Sequence, residues 1–368
     1  MSDRNGTREG SRYHLLFFGG YDPAYPRNAI IRKGWRKLGL PLSECGTGMR
    51  RKVYTRYPAL LWRYAGSGGK GRIIFVPDFR HKDVPLAWLL ARISGRKLVF
   101  DPLVSRYETR VLDRGDAAHG SPQAWHNRNL DRISLRLPDL VLADTDVHAD
   151  FFAGEFGVDR AVVRAVPVGF DEDIFKEAPV REGAGTCRVL FYGTYLPLHG
   201  VETIVEAAAI LRGRKVVFTL VGTGQTHAGV KRRAEREGCG NIEFRLPVRE
   251  DELAPLIAGA DIVLGVFGST LKAGMVVPNK VYQSLAVGRA VITADTPAVR
   301  EHFKSGTHLL TVPPADPAAL AGAVERLIDN VEARNRLAAQ GGVFVRDRFN
   351  SVRVAERLAA VLEEARFV

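Results

Sequence analysis

Sulfur is scarce in this 368-residue chain: three cysteines, Cys45, Cys187 and Cys239, and three methionines. The cysteine count is odd and no two lie close together, which argues against a disulfide framework and a CxxC metal site. Nine histidines show no HxxxH or HExxH spacing, so no metal site is expected. No apolar run approaches the ~20 residues of a membrane-crossing helix. The N-terminal stretch MSDRNGTREGSRY has no apolar segment to serve as a secretion signal, so the sequon Asn5-Gly6-Thr7 carries no weight. A cytoplasmic chain is the expectation. GxGxxG is missing too, since GTGQTH at 222–227 keeps only the first two glycines, which argues against a nicotinamide cofactor. Neither a G-x-S-x-G elbow nor a Walker loop is present.

Acidic residues are absent from one region in particular. Residues 27–72 hold twelve Lys and Arg and a single acid, Glu44. The net charge of +12 comes almost wholly from the first half: residues 1–170 carry 28 basic and 17 acidic side chains, residues 171–368 carry 25 and 24. Residues 27–40 (RNAIIRKGWRKLGL) predict an amphipathic helix, with Ala29, Ile30, Trp35 and Leu38 against Arg32, Lys33, Arg36 and Lys37. Residues 49–72 interleave Arg with Tyr and Trp. Such a mixture suits an anionic membrane surface; the plain alternative is a solvated basic face. Nucleic acid is disfavoured, because no recognised nucleic-acid module accompanies the charge.

The rest is ordinary for a globular protein, at 46% hydrophobic and 26% charged. The length suggests two domains. Short apolar runs predict strands near 13–18, 72–76, 97–101, 139–143 and 162–166. A second series follows at 187–192, 215–221, 241–244, 261–266, 290–293 and 308–312. Helical patterns fill the gaps, at 83–94, 121–137, 200–212, 226–237, 250–258, 279–287 and 316–330. Continuous apolar strands alternating with helices imply parallel sheets covered on both faces. The expected fold class is α/β, with two doubly wound Rossmann-like domains facing a central cleft. The domains are 1–170, completed by a C-terminal helix at 350–368, and 171–349. Ligands in such sheets bind at the carboxyl ends of strands.

Three segments carry candidate chemistry. In YGTYLPLHGVETIVEAA at 192–208, a strand runs through a Gly-containing loop into a helix, whose N-terminal N–H groups favour phosphate. His199 lies beside that terminus and could donate to a phosphate oxygen; the alternative is an exposed His in a plain turn. In LKAGMVVPNKVYQSLAVGRAVITAD at 271–295, a loop with Gly268 and Gly274 leads into a helix starting near Pro278 or Asn279. Lys280 in its first turn opposes the helix dipole, which suggests that it answers a bound anion. Gln283 shares its face and could bond a sugar hydroxyl. The alternative is a solvated Lys and Gln on a surface helix. VPVGFDEDIF at 166–175 reads as a structured linker. Asp144-Thr145-Asp146 spells DxD, but it opens a helix, so N-capping explains it better than metal.

Taken in order, GTYLPLHG and TIVEAA, LVGTG at 220–224, PNKVYQSLAVGRAVI and VPVGFD resemble the family 4 glycosyltransferases, retaining nucleotide-sugar enzymes of the GT-B fold. The resemblance covers about 139–330 and is weaker over 13–138. It implies transfer of a sugar from a nucleotide diphosphate sugar to an acceptor hydroxyl, in glycan, glycolipid or glycosylated-metabolite biosynthesis, with no metal or other cofactor. It implies a donor site of Gly193, Thr194, His199, Gly222, Gly274, Met275, Val276, Lys280 and Gln283. Thr194 and His199 fall where the family carries a basic pair. Gln283 and Met275 fall where it carries two glutamates, and Met275 cannot hydrogen-bond a sugar. Catalytic candidates are Lys280, His199 and Asp101. Asp101 ends a strand, and helix capping is its alternative role. Acceptor candidates are Gly19, Gly20, Asp101 and Arg106. The glycines let a ligand approach the backbone or simply form a tight turn. The acceptor itself is lipid-linked, a glycan or a small molecule, and the enzyme is cytoplasmic, peripheral on the inner face of the cell membrane. A second reading is a GT-B-fold binding or scaffold protein that has lost catalysis. A third is a basic membrane-surface or nucleic-acid-binding protein.

Overall fold

The computed structural model describes residues 11–49, 51–66, 71–180 and 185–368. The sequon at 5–7, Arg50 and residues 67–70 of the basic region, and residues 181–184 of the expected junction lie outside them. The chain divides into two compact units, Met1–Gly169 with Phe349–Val368, and Phe170–Arg348.

The first unit runs β1 (Leu15–Gly19), α1 (Pro26–Lys37), β2 (Leu42–Gly46), α2 (Val53–Gly66), β3 (Ile73–Val76), α3 (Val84–Ser94), β4 (Lys97–Phe100), α4 (Pro122–Arg136), β5 (Leu140–Ala143), α5 (Asp146–Phe156) and β6 (Val163–Ala165). All its strands are parallel, in the order β2-β1-β3-β4-β5-β6. Runs such as LLFFG and IIFV are buried throughout because both faces of the sheet are covered. One face packs against α3, α4 and α5, through Leu90, Leu135 and Phe152. The other packs against α1, through Ile30, Ile31 and Trp35.

The second unit runs β7 (Cys187–Tyr192), α6 (Val201–Ile210), β8 (Val216–Val221), α7 (His227–Arg236), β9 (Ile242–Arg245), α8 (Glu250–Ala258), β10 (Ile262–Leu264), α9 (Leu271–Met275), α10 (Asn279–Ala286), β11 (Ala290–Ala294), α11 (Pro297–His302), β12 (Leu310–Val312), α12 (Pro317–Asp329) and α13 (Val331–Arg348). Its strands are also parallel, ordered β12-β11-β10-β7-β8-β9. The final helix, α14 (Ser351–Glu364), returns to the first unit, where Val354, Leu358 and Val361 pack with α1.

Strand β2 was not legible: LSECG is mostly polar and sits at a sheet edge, where one side needs no apolar cover. The helix expected at 27–40 forms, but its apolar face is not available to a membrane. Ile30, Ile31 and Trp35 are core residues, and Arg32 and Arg36 pair with Glu44.

Candidate functional site

In the second unit the strand order reverses between β7 and β10, so the ligand crevice of the sheet opens at their carboxyl ends. The loop after β7 begins at Gly193, with φ of 140°. The loop after β8 packs backbone to backbone against it. A Cβ on Gly222 would stand 2.0 Å from the Gly193 carbonyl oxygen, and one on Gly224 2.6 Å from that of Tyr195. Only glycine permits this approach. The two loops wall a depression of about 360 Å³, lined by Tyr192, Gly193, Thr194, Gly222, Thr223 and Pro247 among others.

Lys280 lies on α10, against the backbone of Gly193. Its side chain is buried, its Nζ stands 3.9 Å from the centroid of the Phe191 ring, and Nζ makes no hydrogen bond. A Cβ on Gly193 would lie 3.1 Å from that Nζ. Burial holds the ammonium's pKa well below its usual value. Gln283, one turn on, is also buried; its Oε1 accepts from Tyr192 Oη at 2.9 Å. That commits the amide oxygen and leaves the NH₂ group as the donor of this side chain.

His199 closes a short 3-10 turn, Pro197–His199, before α6. Its Nδ1 bonds the Thr194 carbonyl, which can only accept, so the hydrogen sits on Nδ1. Burial first, then Lys280, holds its pKa well below the usual value. The neutral ring thus presents Nε2 as an acceptor, and the expected donation to a phosphate requires protonation. A second cation was missed in the sequence: Lys272 on α9, buried, lowers the same histidine's pKa. Its signal was position, eight residues before Lys280 in the loop after β10. Gly274 and Val276 lie on and just after α9, and Met275 is 2% exposed, a core side chain rather than a contact with a sugar.

In the first unit the structure corrects two expectations. Asp101 is fully buried and ion-paired to Arg27, Nε to Oδ2 at 2.6 Å, while Arg27 Nη1 donates to the Val166 carbonyl at 3.0 Å. It therefore ties α1 to the end of β4 and offers no surface to a reacting sugar. Gly19 and Gly20 are also buried. A Cβ on Gly20 would lie 2.6 Å from Arg56 Cδ, and Gly20 N donates to Asp83 Oδ2 at 2.9 Å. The space above that backbone is filled by the chain itself. Arg106 lines a separate pocket with Phe79 and His81, beyond the ends of β3 and β4. Thr145 caps α5 by accepting from His148 N at 3.1 Å, as the capping reading of 144–146 required. Among the described residues, no group of three His, Cys, Asp or Glu stands close enough to hold a metal ion.

Two buried groups had no sequence signal, because each depends on a carboxylate from a distant segment, Glu108 for His148 and Asp101 for Asp78. His148 bridges Asp144 Oδ1 at 2.6 Å and Glu108 Oε2 at 3.0 Å. Burial opposes its charge, yet the two carboxylates raise its pKa to about 9. Asp78, in the loop after β3, is pushed up to about 7 by burial and then by Asp101.

Residues 186–330 match the family model for glycosyl transferases group 1. The chain is 30% identical to a probable glycosyltransferase, WbjE, of Pseudomonas aeruginosa, across 42% of this chain and 37% of that protein's length. It is 25% identical to the alpha-D-kanosaminyltransferase of Streptomyces kanamyceticus, across 86% of this chain and 79% of the relative. Its fold matches the crystal structure of Anabaena HepE in complex with UDP, with a TM-score of 0.70 at 16% identity, covering 95% and 99% of the two chains. That match fills most of the second unit, and the two parallel six-stranded sheets have the fold of HepE; over residues 186–330 the chain is similar to the group 1 glycosyl transferases.

Proposed function

We propose that the chain transfers a sugar from a nucleotide diphosphate sugar to an acceptor hydroxyl, with retention at the anomeric carbon. The observation that carries this is Lys280: a buried ammonium without a hydrogen-bond partner, beside Gly193 at the switch point of the second unit. Burying such a charge is costly unless an anion answers it. A donor diphosphate seated between Gly193 and the N-terminus of α10 would do so. Its negative charge would also raise the depressed pKa of Lys280 and favour protonated His199. Stabilising the leaving diphosphate is then the main protein contribution. That diphosphate itself takes the acceptor's proton. The amide NH₂ of Gln283 is placed for a ribose hydroxyl, and the depression between the 193 and 222 loops for the nucleoside. The first unit holds the acceptor, and no metal or cofactor takes part.

A thermal-shift panel of nucleotides and nucleotide sugars tests this. A donor at a hundred times its dissociation constant stabilises by about 2.7 kcal/mol. One base should stand out, and Lys280→Ala should cut its shift by about half or more. A flat panel would overturn the assignment. The buried Met275 and the Tyr192-bound Gln283 favour a second reading, a nucleotide-sugar-binding protein without turnover. Binding without hydrolysis or transfer would select it.

The finer partner assignment concerns α2. Tyr54 and Trp62 are 70% and 79% exposed on this helix, with Arg51, Lys52 and Arg63 also exposed around them. This is the aromatic and basic face that suits anionic headgroups. A cytoplasmic enzyme docked peripherally through α2 on the inner membrane face is the reading it supports, with a lipid-linked acceptor. No helix among the described residues is long and apolar enough to cross a membrane.

A further inference from the structure

The helices of the first unit present two unlike outer surfaces. Helices α2 to α5 cover one face of the sheet, through Leu60, Leu90, Leu135 and Phe152, and α1 and α14 cover the other. Helices α2 and α3 contain no acid, and the one acid of α4, Asp131, is fully buried. Outward, α3 exposes Leu89 and Ile93, one turn apart, beside Arg92, and α4 exposes Trp125 and Ile133. Helix α2 adjoins α3, where Tyr64 Oη donates to Ser94 Oγ at 2.9 Å. On the opposite face, among the described residues, α1 and α14 expose no large hydrophobic side chain, while Glu356, Glu363 and Glu364 of α14 are exposed.

A pocket of about 350 Å³ opens on the first of these surfaces, between α4 and the end of α5. Trp125, Arg128, Arg132 and Arg136 line it from α4, three or four residues apart and so along one stripe of the helix, and the segment 154–157 closes it. Arg128 Nε pairs at 2.6 Å with Oε1 of Glu155, the only acid in the lining. Arg136 Nε donates to the Phe156 carbonyl at 2.9 Å, a neutral partner. Arg132 is exposed and, among the described residues, has no hydrogen bond or ion pair. The other acids of α5, Asp146 and Asp150, pair with Arg160 outside the lining. Three guanidinium groups thus line the pocket against one carboxylate, and their forks match the oxygens of a phosphate. Trp125, in the same lining, is 69% exposed; its amphipathic ring is of the kind that settles at headgroup depth.

We propose that this pocket holds the phosphate of an anionic phospholipid headgroup, with Arg132 as its principal contact and Trp125 set in the interface beside it. A free phosphate meets the same guanidinium groups but leaves Trp125, Leu89 and Ile93 in water; a bilayer covers them while it answers the charge. The site is a second anchor, beyond α3 on the layer that α2 begins, so that three helices bear on the membrane together. The proposal rests on reading the first unit as membrane-docked, but on none of the α2 residues.

Sedimentation of the full chain with vesicles of phosphatidylglycerol and phosphatidylcholine in equal parts tests the site. Calorimetric titration with glycerol 3-phosphate separates the headgroup from the bilayer. The wild type should bind the vesicles. Arg132→Gln should weaken binding about five-fold and Trp125→Ala about ten-fold. Arg353→Gln removes the same charge from α14, on the opposite face, and should bind as the wild type does. All three side chains are exposed, and circular dichroism checks that the variants fold. Equal losses in Arg132→Gln and Arg353→Gln would mean that net charge alone acts, and would overturn the proposal. Full binding by Arg132→Gln would overturn it too. So would Arg132-dependent binding of glycerol 3-phosphate by a chain that leaves the vesicles unbound, which would make the ligand a soluble phosphate. A loss in Trp62→Ala with none in either α4 variant removes the pocket and leaves docking through α2 standing. Losses in the α4 variants alone do the reverse, and a wild type that binds no vesicle removes both.

Discussion

A single side chain, Lys280, carries most of the donor-site argument. A hydrogen bond to a charged group contributes ~1.5–3 kcal/mol, and a contact made to the leaving group in the transition state converts to rate at ~1.4 kcal/mol per decade. Lys280→Ala should therefore lower kcat/KM by roughly one to two decades, read from initial rates with the donor that the thermal panel identifies. Turnover equal to the wild type would remove Lys280 from the site. His148 gives a second test at this scale, on stability. Its folded pKa, about 9, lies above the ordinary histidine value because Glu108 and Asp144 outweigh burial. The charged form is thus the one the fold favours. The stabilisation is complete below the unfolded pKa of about 6.5 and is lost as pH rises through about 9. Melting temperature followed from pH 6 to pH 10 should fall more steeply for the wild type than for His148→Gln. Parallel curves would mean that His148 is neutral in the folded chain.

At the scale of elements, helix α14 is held to α1 by close backbone contact at one glycine. A Cβ on Gly34 would lie 1.8 Å from the Ser351 carbonyl oxygen and 2.8 Å from the Ala355 Cβ. In an unpacked helix, Gly→Ala stabilises by roughly 0.5–1 kcal/mol. Here the new methyl meets backbone that cannot rotate away, and overpacking costs about 1–3 kcal/mol. The sign of the change in melting temperature for Gly34→Ala is therefore decisive: a fall is expected, and a rise would show that α14 does not seat on α1 as described. Legibility also follows the elements. Strands buried on both faces announced themselves as unbroken apolar runs, and the helices between them by period. Edge strand β2 did not, since LSECG is mostly polar and Cys45 is its only buried residue. Motif spacing singled out Gly193, Gly222 and Lys280, because loop glycines and helix starts are local signals; the 193 and 222 loops wall one depression and Lys280 lies against Gly193. Asp101 misled because a carboxylate at a strand end reads alike whether it faces a ligand or a buried arginine. Its partner, Arg27, lies 74 positions away. Lys272 and His148 likewise depend on which segments the sheets bring together.

At the scale of the whole molecule, the charge asymmetry takes a more specific form than the bare total. Residues 171–368 are nearly balanced, 25 basic against 24 acidic, whereas residues 1–170 carry the excess. Part of that excess is internally answered: Arg27 by Asp101, Arg32 and Arg36 by Glu44, Arg56 by Asp83. The α2 face sets exposed aromatic and basic residues together: Trp62, Tyr54 and Leu61 are exposed among Arg51, Lys52 and Arg63. Each basic residue near an anionic surface contributes about 1 kcal/mol, and this attraction is screened by salt. An inserted indole adds an apolar contribution that salt does not screen. Vesicle sedimentation should accordingly show binding to phosphatidylglycerol-rich vesicles and none to neutral ones. Raising the salt from 50 to 500 mM should weaken it, and Trp62→Ala should weaken it at every salt concentration. Arg63→Gln with Lys52→Gln should remove the salt dependence instead. If Trp62→Ala binds as the wild type does, the exposed aromatics take no part, and α2 is a solvated basic face whose charge serves solubility alone.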